Sequence, residues 1–74
     1  MKFVVGPELR RYEDGSLNWA DLDFLKSYGF ELSDYSIYTY PPQKELFIAQ
    51  PLPDQTMRRL VQLVEQKGFW ISSV

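Results

Sequence analysis

The chain has no cysteine and no histidine in its 74 residues, and each absence removes a class of function. Without Cys there is no disulfide framework and no thiolate metal site; without His the commonest zinc ligand and general base are missing as well. Long apolar runs are also lacking. The stretch Met1-Lys2-Phe3-Val4-Val5-Gly6-Pro7 is too short in apolar residues for a signal peptide, and no other segment approaches the length of a membrane span. The cytoplasm is therefore the expected compartment. Arg10-Arg11 does not read as a twin-arginine export signal, because no hydrophobic stretch follows it.

Carboxylates arranged for catalysis are scarce too. Asp21 and Asp23 stand two apart in a helical stretch and point away from each other, so they cannot converge on one bond or one metal. Asp21-Leu22-Asp23-Phe24-Leu25 fails as a calcium loop at its fifth position and lacks the turn glycine. Nothing pairs a nucleophile with a base, and so small a chain has little interior from which to build a tuned pocket. The expectation is a protein that is not an enzyme and needs no cofactor or metal.

What the chain does have is apolar and aromatic material. A hydrophobic fraction of 45% and an aromatic fraction of 16% suffice for a packed core, which argues against a disordered chain. A chain of this length buries only about 60% of its unfolded surface, so residues 1–74 read as one small domain. A duplication divides it into halves of about 1–40 and 41–74. Phe3-Val4-Val5-Gly6-Pro7 matches Phe47-Ile48-Ala49-Gln50-Pro51, and Gly29-Phe30-Glu31-Leu32-Ser33 matches Gly68-Phe69-Trp70-Ile71-Ser72. Each half reads strand, helix, strand. Two such units in tandem predict an α+β, ferredoxin-like βαββαβ sandwich: a four-stranded antiparallel sheet with two helices on one face.

Local signals mark both helices. Asn18 stands at an N-cap position, Asp21 follows near the positive helix end, Leu17 can staple onto Leu22, and Gly29 can take the left-handed conformation of a helix end. The first helix is expected over Trp19 to Tyr28. The second starts near Pro53 and Asp54, places Met57, Leu60, Val61 and Val64 at the i, i+3, i+4, i+7 spacing of one buried face, and ends at Lys67-Gly68.

Strand phase follows in two ways that agree. Pro41-Pro42-Gln43-Lys44 reads as a hairpin loop, which sets Tyr40 opposite Glu45, Tyr38 opposite Phe47 and Ile37 opposite Ile48. Charged Glu31 must face outward, which turns Phe30 and Leu32 inward and, counting by twos, Tyr38 and Tyr40 as well. The expected core is Phe3, Val5, Leu22, Leu25, Phe30, Leu32, Tyr38, Phe47, Leu60, Val61, Val64, Phe69 and Ile71. Left on the uncovered sheet face are Val4, Tyr35, Ile37, Leu46, Ile48 and Trp70, where a solvated sheet would carry Thr, Lys or Glu.

An exposed Trp flanked by aliphatics has the composition of an interface, and apolar patches of that kind mark contact sites. Arg58 and Arg59 lie near the N-terminal end of the second helix, where the helix dipole gives cations nothing, so they join the candidate surface. Function is thus expected as a non-enzymatic protein-binding module, a small accessory regulator or inhibitor, with another protein or a second copy of itself as partner. Most of the acidic residues fall in the first half of a chain of net charge −2, which favours a basic partner.

Single-stranded nucleic acid bound on the open face is the alternative, since sheets of this topology can stack bases on aromatic residues. Glu45-Leu46-Phe47-Ile48-Ala49-Gln50 lacks the basic and glycine positions of an RNA-recognition strand, which makes nucleic acid unlikely. Finally, Asp14-Gly15-Ser16-Leu17 followed by Tyr28-Gly29-Phe30-Glu31-Leu32 resembles the loop, helix and strand entry of ACT domains, over about a third of the chain. That resemblance implies small-ligand sensing through Asp14, Gly15 and Leu17.

Overall fold

The two helices form where the caps predict. In the computed structural model, which describes residues 1–10, 17–33 and 40–74, the first helix runs Trp19–Tyr28. The Asn18 side-chain carbonyl accepts the Ala20 N–H at 3.0 Å and so caps its first turn. This helix is wound as a 3₁₀ helix rather than an α-helix. Three residues per turn stack Trp19, Leu22 and Leu25 in one line, and the two leucines are buried. The second helix is an α-helix over Asp54–Gln66, with Leu60 and Val64 buried and Met57 and Val61 half-buried on the expected stripe. Each helix is followed by a glycine at φ 88°, Gly29 and Gly68, the left-handed region that a side chain resists. A buried phenylalanine, Phe30 or Phe69, opens the next strand.

Four strands complete the fold: β1 (Lys2–Pro7), β2 (Phe30–Ser33), β3 (Lys44–Ile48) and β4 (Phe69–Ser73). They form one sheet in the order β2-β3-β1-β4, every neighbouring pair antiparallel. The result is a small α+β domain with a four-stranded antiparallel sheet and two helices, as the repeated strand-helix-strand halves predict. Even-numbered residues of β1 point their backbone groups at β4, because Val74 N–H donates to Lys2 C=O (3.1 Å) and Glu8 N–H to Gly68 C=O (2.7 Å). Odd-numbered ones point at β3. Pro7, which has no N–H, sits in β1 opposite Phe69 and beyond the last β3 partner, Lys44, so no ladder donor is lost.

One face of the sheet carries the core. Phe3 and Val5 from β1, Phe30 from β2, Leu46 and Ile48 from β3 and Phe69 from β4 form a single cluster with Leu22 and Leu25 of the first helix and Leu60 and Val64 of the second. Leu32 and Ile71 are partly buried against it, as is Trp19, whose ring lies 5.1 Å from that of Phe69. Among the described residues no helix is long and apolar enough to cross a membrane.

The phase of β3 is the correction. Leu46 and Ile48 are 0% and 3% exposed, core residues rather than surface ones, while Phe47, expected inside, is 44% exposed. Phe47 pairs with Lys2 and Glu31, not with Tyr38, and Ile48 pairs with Phe30, not with Ile37. Glu45 lies opposite Ser33 rather than Tyr40. A slip of one residue in register carries every side chain of the strand to the other face. The physical preference is plain: this phase buries two large aliphatics, whereas the expected one would bury Phe47 with Ala49 and strand Leu46 and Ile48 in water. It also aligns Phe3-Val4-Val5 with Leu46-Phe47-Ile48, one residue away from the alignment that the matching Phe and Pro residues suggest. Tyr40 is exposed rather than inward. Tyr38 lies outside the described residues, as do Arg11 and Asp14-Gly15-Ser16.

Candidate protein-binding face

The side of the sheet away from the helices is built by alternation. Counting outward from the buried positions, it presents Lys2, Val4 and Gly6 on β1, Glu31 and Ser33 on β2, Glu45 and Phe47 on β3, and Trp70 and Ser72 on β4. Register brings the apolar members into one diagonal stripe. Phe47 stands across from Lys2, one position diagonal to Val4; Val4 stands across from Ser72, one position diagonal to Trp70. Diagonal neighbours of this kind are within reach of aromatic side chains.

Trp70 packs closely on its neighbour. Its ladder partner is Gly6, and a Cβ at Gly6 would come within 2.7 Å of the indole Cζ2. The missing side chain leaves room for the indole, which is half-buried. Polar groups surround the stripe. The Lys2 ammonium pairs with the Glu45 carboxylate at 3.5 Å across the β1–β3 ladder, and Glu31, Ser33 and Ser72 complete the described rim. Beside Trp70, Glu8 and Glu65 help to line a notch of about 380 Å³.

Of the residues expected at the contact surface, Val4 and Trp70 lie on this face. Leu46 and Ile48 are in the core on the opposite side. Arg58 and Arg59 are exposed on the second helix, which covers that opposite side, so they share no surface with Trp70. Tyr35 and Ile37 lie outside the described residues. Phe47 is the member that the expected phase missed. Glu45 carried the signal: the rule that turns Glu31 outward turns Glu45 outward too, and Phe47 with it.

A second concavity, of about 260 Å³, lies between Tyr28-Gly29 and the segment from Ile48 to Leu52. Among the described residues no three carboxylates gather as a metal ion would require. Comparison with protein-family models, with curated proteins and with solved structures finds no match to this chain.

Proposed function

We propose that this chain is a non-enzymatic protein-binding module that docks on another protein through its open sheet face, in the manner of a small accessory regulator or inhibitor. The observation that carries the reading is the Phe47–Val4–Trp70 stripe. It sets two aromatic rings on a surface that also carries charged and hydroxyl groups, and interface hot spots favour aromatic anchors beside polar groups. Glu31 and Glu8 add negative charge beside the stripe, and Lys2, the cation of β1 on that face, is paired with Glu45. A partner presenting an apolar knob with a basic border fits this arrangement best. The same charge balance weighs against nucleic acid, whose phosphates need unpaired cations. The order of elements and the strand order β2-β3-β1-β4 support a ferredoxin-like reading of the architecture.

Affinity capture with immobilised protein tests the proposal. Phe47→Asp places a charge in the centre of the stripe at an exposed position; Arg58→Glu with Arg59→Glu reverses the charge on the helix side. The expected result is a bound protein that the first variant loses and the double variant keeps. Binding lost through the helix variant and retained by Phe47→Asp would move the site off the sheet face.

A further inference from the structure

β4 is an edge strand with none of the features that protect edges. It hydrogen-bonds only to β1 among the described residues, and from Gly68 to Val74 the segment Gly-Phe-Trp-Ile-Ser-Ser-Val carries no charge and no proline. Edge strands are ordinarily blunted by Lys, Pro, bulges or shortness, because their free N–H and C=O groups template pairing with another chain. The opposite edge is blunted: β2 is one residue shorter and has Glu31 in its run.

The ladder fixes which groups turn away from β1. Gly68, Trp70, Ser72 and Val74 turn their backbone toward β1, as the Glu8-to-Gly68 and Val74-to-Lys2 bonds require, so Phe69, Ile71 and Ser73 turn theirs outward. Their phase limits how a second β4 can lie against the first. In antiparallel pairing about a twofold at Ile71, Ile71 meets Ile71 of the other copy, Phe69 meets Ser73, and Trp70 meets Ser72. All five residues of the strand are then paired, each outward residue exchanging two hydrogen bonds. No like charges face each other along the strand, and the half-buried Ile71 gains an apolar neighbour.

We propose that the chain associates with a second copy of itself through the β4 edge, forming one continuous antiparallel sheet across the twofold. The interface is distinct from the open face. Dimerisation leaves Phe47, Val4 and Trp70 uncovered and sets two copies of the stripe on one side of the doubled sheet.

Sedimentation velocity of the whole chain from low micromolar to submillimolar concentration is the test, with Ser73→Pro as the variant. Proline there removes an outward N–H that makes no bond to β1, so the monomer keeps its ladder, while two symmetry-related bonds of the dimer are lost. The expected result is a reversible dimer that Ser73→Pro weakens about tenfold or more and that Phe47→Asp leaves intact. Amide hydrogen exchange on the wild type reads the same contact even where the variant folds poorly: Phe69, Ile71 and Ser73 gain protection as concentration rises, while Trp70 and Ser72 are protected throughout. A chain that stays monomeric, or a dimer in which those three amides exchange freely, overturns the proposal. Neither outcome touches foreign-partner binding on the open face.

Discussion

Directly across the ladder from Trp70 stands Gly6, and the indole uses the space that a side chain would fill. Gly6→Ala is therefore a probe of the ring's position. The added methyl would lie 2.7 Å from Cζ2, well inside contact distance, so the ring must swing away. We expect a loss of about 1–2 kcal/mol in urea unfolding, the usual scale for overpacking, together with a changed near-UV CD spectrum. An unchanged near-UV spectrum would mean that Trp70 does not rest on Gly6. Phe47 presents the opposite situation: its ring is 44% exposed on a central strand, and the fold gives it no apolar ceiling among the described residues. A large aromatic left there contributes little to stability, which makes binding the better account of its place.

At the scale of elements, the helices depend on a few local groups. Asn18→Ala removes the acceptor for the Ala20 N–H and should lower stability by about 1 kcal/mol. Gly29→Ala forces a side chain into φ 88° with open space around it, so its loss, about 1 kcal/mol, measures backbone strain alone. Denaturant midpoints of both variants check these values; a neutral Gly29→Ala would show that the helix ends differently. These same features explain what could be read from the sequence. Asn18, Gly29, Gly68 and the stripe from Met57 to Val64 act within a turn or two of themselves, and they place both helices and the starts of β2 and β4. The 3₁₀ winding of the first helix is subtler, visible only in the strict threefold spacing of Trp19, Leu22 and Leu25. Pairing between strands is not local in this sense. It turns on which residues meet across the ladder, and Pro41-Pro42 suggests Tyr40 opposite Glu45 where Ser33 stands. The open face was legible as a surface and half legible in membership: Val4 and Trp70 from β1 and β4, but Leu46 and Ile48 in place of Phe47.

For the whole molecule the decisive quantity is the small size of the core. Below about 80 residues a single core seldom supplies more than about 3–5 kcal/mol. A charge placed inside exceeds that margin, whereas a charge on an exposed face leaves it nearly intact. Every functional statement made of the open face depends on which side of β3 looks outward, and two adjacent positions distinguish the sides. Far-UV CD melts of Phe47→Asp and Ile48→Asp, run beside the wild type, therefore test the account most directly. It predicts a wild-type-like cooperative transition for Phe47→Asp and a chain without a transition for Ile48→Asp. A folded Ile48→Asp beside an unfolded Phe47→Asp would invert the sheet and remove the proposed binding face.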